Sequence, residues 1–373
     1  MSRSPLQDSY PLFHASGSAR ELGRAHGEQA AEKIRAYLES LQQSLKVSRE
    51  TLRTRALAFR PLFAKFCPHL LEEIDGLAEG ASIDPADALA VQFRGELGQL
   101  RDEACTTFVV GPRGTADGQI LIGQTSDTPP EIEDYGYVLH LVPDDRPEVL
   151  MWSFGGMIGY HGVNDRGVAH FANALGGGPA WKFALSHYPI KRMMLEQSSV
   201  SEVVALLRSV PVCSNGNYVL CEGSGNILDV ELTSDGPNLI DDDGAGFIAH
   251  SNHFLCAAHA CEENFAQGLP DSFPRLERMR SLIRAKFGSI TVDDMKAMLS
   301  DHAGHPTSIC RHAERSIEDA QTGMSVLPKQ KANPMLGPEG KTVAALIAEP
   351  SRGVLHVVKG NPCEHPFVAY PMT

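Results

Sequence analysis

Arg101-Asp102-Glu103-Ala104-Cys105-Thr106-Thr107-Phe108-Val109-Val110 is the stretch on which the fold of this chain turns. A charged segment that closes a helical region meets a small residue and a cysteine, and a β-rich run opens at once. Linkers between domains are rich in Gly, Pro or Ser; this junction contains none of them. If the chain is cut between Ala104 and Cys105, a strand begins with a residue carrying both a thiol and a free α-amino group. An α-amino group titrates at about 7.7 to 8, so it is partly neutral near pH 7 and can accept the proton of the thiol beside it. The plainer alternative is a half-buried structural cysteine, since free Cys is among the most buried residue types.

Working outward, the hundred residues before the junction are patterned as helices. Leu22, Ala25, Ala31, Ile34, Leu38, Leu41 and Leu45 form an apolar stripe over 18–46, and Ser18 with Glu21 makes a capping box. Further helices are expected over 49–66, 69–80 and 85–98, the last opened by Asp84-Pro85. After Cys105 the period changes to strands over 105–111, 119–124, 135–142, 148–154, 158–163 and 167–173, read as successive and antiparallel. Helices are expected over 189–209, strands over 216–222, 226–233 and 246–250, and helices over 274–287 and 291–299. Closing strands are placed near 322–328, 342–348, 353–358 and 366–370. Gly176-Gly177-Gly178-Pro179 reads as a mobile loop at a pocket rim. Sheets with segregated helices imply an α+β architecture.

The composition is that of a globular protein, with 42% hydrophobic and 21% charged residues in 373. A net charge of −13 argues against nucleic acid as a partner, because such binding draws on Lys and Arg at phosphates. Residues 1–104 carry 13 Lys and Arg against 15 Asp and Glu, a balance of −2, which leaves −11 on the remainder. No apolar run is long enough to span a membrane and the N-terminus lacks an apolar signal core, so a cytoplasmic location with no membrane partner is expected. Eight cysteines without regular spacing are expected to be reduced thiols rather than a disulfide framework.

Several segments, taken in order, resemble the acyl-coenzyme A:6-aminopenicillanic acid acyltransferase family, the self-cleaving cysteine acyltransferases and hydrolases of the N-terminal nucleophile superfamily. They are Gly17-Ser18-Ala19-Arg20-Glu21-Leu22-Gly23 with His26-Gly27, Cys105-Thr106-Thr107, Gly123-Gln124-Thr125-Ser126-Asp127 and His250-Ser251-Asn252-His253-Phe254. Asp301-His302-Ala303-Gly304, Ser308-Ile309-Cys310-Arg311 and Gly360-Asn361-Pro362-Cys363 complete the set. The resemblance implies a four-layer αββα sandwich and self-cleavage between Ala104 and Cys105, giving an α chain of residues 1–104 and a β chain of residues 105–373 in one globular unit. It implies Cys105 as nucleophile with its own α-amino group as base, and Asn252 as oxyanion donor. Thr107, two residues on and on the same strand face, is assigned to orienting the thiol or the scissile peptide. Asp127 is assigned to the α-amino group or to maturation, and Arg311 to fixing that carboxylate or the substrate. The substrate is a small-molecule linear amide, no cofactor or metal is called for, and the two cleaved chains stay associated. The long helical block favours this family over the conjugated bile acid hydrolases and penicillin V acylases, which begin directly with Cys.

One departure bears on the substrate. The family commonly has aromatics flanking the Asp, whereas this chain has Thr125-Ser126-Asp127-Thr128-Pro129, which argues against a penicillin and for something smaller or more polar. Hydrolysis is favoured over transfer, since no basic cluster marks a coenzyme A site. The competing hypothesis is a zinc-dependent hydrolase or zinc-stabilised binding protein built on His250, His253, Cys256, His259 and Cys261, because His253, Cys256 and His259 recur every three residues and would align on a helix. His302 and His305 read as loop-capping residues, with a ligand or general base as the alternative.

Overall fold

The structure, a computed structural model, describes residues 9–93, 96–98, 104–260, 270–313, 317–318, 325–326 and 339–372. A short strand, β1 (Leu12–Gly17), leads into α1 (Ala19–Leu45), α2 (Arg49–Phe66), α3 (Pro68–Ala81) and α4 (Pro85–Ala90). The expected capping box closes α1: Glu21 accepts from the Ser18 N–H at 2.9 Å and from its hydroxyl at 2.6 Å. The glycines of the N-terminal motif have a packing role. At the α1/α3 crossing a Cβ on Gly23 would stand 1.8 Å from the Glu73 carbonyl oxygen, and one on Gly80 would stand 2.0 Å from that of Arg24, so only glycine permits this backbone contact. His26, also of that motif, is buried with Nε2 2.7 Å from the Tyr137 hydroxyl.

Beyond the junction run β2 (Ala104–Val110), β3 (Leu121–Thr128), the one-turn α5 (Ile132–Tyr135), β4 (Gly136–Pro143), β5 (Val149–Phe154), β6 (His161–Asn164) and β7 (Val168–Ala174). Next come α6 (His187–Met194), α7 (Val200–Ser209), β8 (Gly216–Glu222), β9 (Ile227–Thr233), β10 (Gly236–Ile240) and β11 (Phe247–His250). The chain closes with α8 (Ser272–Lys286), α9 (Val292–Leu299), β12 (Lys341–Glu349), β13 (Val354–Lys359) and β14 (Val368–Pro371). A two-residue ladder also joins Ile317–Glu318 to Ser325–Val326.

Two sheets result. One has the order β1-β4-β5-β6-β7-β8-β9-β10, the other β11-β2-β3-β12-β13-β14. They pack face to face, with β2 and β3 against β7 and β8; α1 and α7 lie on the outer side of the first, α8 and α9 on that of the second. This is the four-layer αββα sandwich. Every residue of β2 and β3 is buried, as central strands covered on both faces require. Alternation sorts their side chains: Val109 and Ile122 join the core between the sheets, whereas Phe108, Val110 and Leu121 join the core under α8 and α9.

Most expected elements stand within two residues of their predicted ends. The range 189–209 holds α6 and α7, as its expected helices, with Ser199 accepting from the Glu202 N–H to start the second. The exceptions have local causes. The helix expected over 85–98 ends at Ala90, with a 3₁₀ turn at Glu96–Gly98. The strand expected over 119–124 is shifted, with β3 running on to Thr128. The consecutive strands do not form one sheet, since the chain changes sheets between β3 and β4. Of the strand expected near 322–328 only 325–326 is described, and Arg101-Asp102-Glu103 lies outside the described residues. The Gly176–Pro179 loop is pinned: Asn215 donates to the carbonyls of Gly177 and Pro179, and the Gly176 N–H donates to the Asn252 carbonyl at 3.0 Å.

Candidate active site

Cys105 is the second residue of β2 and pairs with Ser126 on β3; Thr107 pairs with Gln124 on one side and with His250 on the other. Directly paired residues share a sheet face, so Cys105, Thr107, Gln124, Ser126 and His250 all look into the gap between the sheets. Across the gap, the register Asn173–Asn217–Glu231 forms a second polar row. The rows are tied where His250 Nε2 lies 3.1 Å from Glu231 Oε1. Along this layer Thr107 Oγ1, Gln124 Oε1, Ser126 Oγ, Asn173 Nδ2 and Asn217 Oδ1 are buried with no hydrogen-bond partner among the described residues. Buried polar atoms are nearly always satisfied, so such a group beside one thiol is suited to a polar ligand.

The main chain of Cys105 is held on both sides. Its N–H donates to Asn252 Oδ1 at 3.1 Å, and its carbonyl accepts from Arg275 Nη1 at 2.6 Å. Arg275 also donates to Thr106 Oγ1 at 2.8 Å, to Asn252 Oδ1 at 2.7 Å and to Asp271 Oδ2 at 2.9 Å. Asn252 is oriented by three more bonds: its Nδ2 donates to the Ala174 carbonyl at 2.9 Å, its N–H to Ser272 Oγ at 2.8 Å, and its carbonyl accepts from Gly176. Its side-chain oxygen, rather than its amide N–H, therefore faces the Cys105 main chain.

Asp127 sits on the opposite face of β3 from Ser126 and pairs across the strands with Ala104, the residue before the nucleophile candidate. Its Oδ1 accepts from Thr342 Oγ1 at 2.7 Å and its Oδ2 is 3.6 Å from Arg311 Nε. Arg311 in turn pairs with Asp271, and its N–H donates to Thr342 Oγ1 at 2.9 Å. Asp127, Asp271, Arg275 and Arg311, all buried, thus form an alternating network behind Ala104 and Cys105. Burial pushes the Asp127 carboxyl up to about 6 against the pull of Arg311, Arg275 and the Thr342 bond. Burial raises the Cys105 thiol to about 11, the Asp127 charge adding to it, while a bond with Gln124 and the charges of Lys191 and Arg275 act the other way.

The family model of the acyl-coenzyme A:6-aminopenicillanic acid acyl-transferases matches residues 114–333, more than half of the sequence. The chain belongs to this family. Among curated proteins, the 40 kDa form of the acyl-coenzyme A:6-aminopenicillanic-acid-acyltransferase of Emericella nidulans is 25% identical over 303 residues, covering 79% of this chain and 83% of that one. Among solved structures, a penicillin V acylase from Agrobacterium tumefaciens superposes with a TM-score of 0.48 at 14% identity, over 68% of this chain and 83% of that one. A mutant form of the conjugated bile acid hydrolase from Clostridium perfringens gives 0.46 at 13%, over 72% and 97%. The acyl-transferase family assignment makes this chain an enzyme of the acyl-transferring type. The matched span contains Asp127, Asn252, Arg275 and Arg311 and begins just past Cys105.

Within this acyl-transferase family member, the candidate zinc cluster at 250–261 does not assemble. Residues 251–260 form turns and bends rather than a helix, so the three-residue spacing aligns nothing. His250 faces Glu231, His253 stacks on Phe273 at 3.9 Å, and the His259 ring packs on that of Phe254 at 5.4 Å. Cys256 donates its N–H to Glu231 Oε2 at 3.1 Å, and Cys261 lies outside the described residues. Helix α6 contributes a further cation: the Lys191 ammonium lies 4.2 Å over the Tyr160 ring, and its charge reaches the Cys105 thiol. Sequence reasoning placed Cys105, Thr107, Asp127, Asn252 and Arg311 in one region and missed Arg275, Asp271 and Thr342. The four-residue step from Asp271 to Arg275 was the available signal.

Proposed function

We propose that the protein is a self-processing cysteine amidohydrolase or acyltransferase that cleaves a small linear amide through a thioester on Cys105. The observation that supports this most strongly is the grip on the Cys105 main chain, because the N–H on Asn252 Oδ1 is the atom that cleavage before Cys105 converts into an α-amino group. The thiol adds to the Ala104 carbonyl, the C–N bond breaks as its nitrogen takes the thiol proton, and a thioester forms. Water then releases the Ala104 carboxylate and restores the thiol, leaving the new amine held by Asn252 as base for the next attack. In turnover the thiol adds to the substrate carbonyl, the amine passes a proton to the leaving group, and water or an acceptor amine resolves the thioester. The unpartnered atoms of Thr107, Gln124, Ser126, Asn173 and Asn217 favour a polar substrate.

Intact-mass and N-terminal analysis of purified wild-type protein tests this directly. Two fragments are expected, the second beginning at Cys105. A wild type that stays at 40.4 kDa yet hydrolyses amides would overturn the proposal.

The pH dependence of processing follows from the thiol. With the uncut thiol raised to about 11, the thiolate fraction climbs roughly tenfold per pH unit below that value, and processing of freshly refolded precursor is expected to climb with it from about pH 6 to 9. A rate that levels off at about pH 8.5 would show a thiol of ordinary acidity. Replacing Asn252 by Ala removes the acceptor of the new amine and any amide donor to the oxyanion. Turnover of the processed enzyme is expected to fall about 10² to 10³-fold with little change in KM, measured on a chromogenic anilide.

A further inference from the structure

Three segments that the nucleophile chemistry leaves unused meet on the far side of Arg311. His302, Cys310, His312 and Cys363 bring one ligand atom each to a common centre, all within 4.8 Å of one another. His302 Nε2 lies 3.1 Å from His312 Nε2, which is 3.6 Å from Cys310 Sγ and 3.4 Å from Cys363 Sγ; the two sulfurs are 3.5 Å apart. We propose that these four residues bind one structural zinc ion. A tetrahedral site with Zn–S of about 2.3 Å and Zn–N of about 2.0 to 2.1 Å has edges of about 3.8 Å between sulfurs, about 3.3 Å between nitrogens and about 3.6 Å between unlike atoms. The four separations above lie within about 0.3 Å of that set, and the two from His302 to the sulfurs stay within 4.8 Å.

The surroundings are those of a metal site. Cys310 N donates to the Asp301 carbonyl at 3.0 Å and His312 N to that of Pro306 at 3.1 Å, which folds the loop so that its three ligands converge. Asn361 Nδ2 donates to Cys310 Sγ at 3.4 Å, as suits a thiolate, and Glu364 Oε1 stands 3.8 Å behind His312 Nδ1, the carboxylate-behind-histidine arrangement that orients ligating imidazoles. His302 and Cys363 are exposed, which leaves the ion a way in. Two thiolates and two neutral imidazoles select a borderline tetrahedral cation over calcium or magnesium. Binding sends two thiol protons to solvent and leaves a site of zero net charge. The ion would tie the 302–312 loop to the turn at 361–364. Asn361 already bonds the Arg311 carbonyl at 2.6 Å, so the ion would act as a staple that fixes Arg311 against Asp127 and Asp271.

The test uses the full-length chain purified under reducing conditions, with zinc measured by elemental analysis and cobalt(II) substitution followed by absorption. Running it also in the Cys105→Ala background separates it from the nucleophile proposal. About one equivalent of zinc per chain is expected, with the intense thiolate-to-cobalt and tetrahedral bands on substitution. Cys363→Ser combined with His302→Ala should lower the content to under about a tenth of an equivalent, whereas Cys256→Ser with His259→Ala should leave it unchanged. Chelation should lower the unfolding temperature of the parent and not of the double variant, a readout that holds even if Cys310 variants fail to fold. Fully reduced protein that binds no zinc, zinc lost with Cys256 instead, or a Cys310–Cys363 disulfide in the protein purified with reductant would each overturn the proposal.

Discussion

Cys105→Ala is expected to yield one uncut chain of 40.4 kDa, with amide turnover lower by roughly 10⁴ to 10⁶-fold. Both losses follow from one atom in the proposed mechanism, where the same sulfur attacks the Ala104 carbonyl and later the substrate. Misfolding does not account for them. Cys105 is buried in a strand paired along its whole length, and trimming one sulfur there costs on the order of 1 kcal/mol against a large core. Thermal unfolding of the variant should accordingly stay within a few degrees of wild type. Cys105→Ser keeps the geometry with a less acidic nucleophile, so it should cut slowly and mainly at high pH. Fragments of normal size from Cys105→Ala would show that another protease, or another residue, makes the cut.

The second large effect is expected at Arg275. Its guanidinium bonds the Cys105 carbonyl, Thr106, Asn252 and Asp271 at once, and it is 2% exposed. Arg275→Ala leaves the Cys105 carbonyl without this donor and takes from Asp271 one of its two guanidinium partners. Removing one partner from a buried ion pair costs about 3 to 5 kcal/mol, so this variant should unfold at distinctly lower denaturant concentration. Arg275→Lys separates stability from positioning. A lysine restores the charge beside Asp271 but cannot span four acceptors with a planar fork. It should recover most of the stability while processing, followed on a denaturing gel, remains about 10 to 100-fold slower. Wild-type processing in Arg275→Lys would mean that the arginine serves stability only.

Much of this layout can be read in the chain before it folds. The strands at 104–110 and 341–349 declare themselves through β-branched and apolar runs, and the change of pattern at Cys105 marks where helices give way to sheet. Two strands escape because they are edges. Leu12–Gly17 alternates poorly and stays mostly exposed, and Gly236–Ile240 opens with Gly-Pro, which reads as a turn. Arg275 escapes for a different reason: it lies in a helix with Arg278, Arg280 and Arg284, and nothing in their order says which one turns inward. The His302, Cys310, His312 and Cys363 group is hidden by distance along the chain, since about fifty residues part the last two. The closely spaced His253, Cys256 and His259 are the more conspicuous pattern in the chain, but with no helix there they do not line up.

Leu12–Gly17 has one more implication. It runs parallel to residues 138–143 as the first strand of the larger sheet, so a cut before Cys105 would leave a ladder of backbone bonds across the two pieces. The N-terminal piece would then be neither a discarded leader nor a subunit in exchange with a free pool. Removing it means stripping an edge strand and baring β4, an invitation to aggregation. The working life of an enzyme so cut would be set by how fast that sheet opens, a barrier height that dilution does not touch.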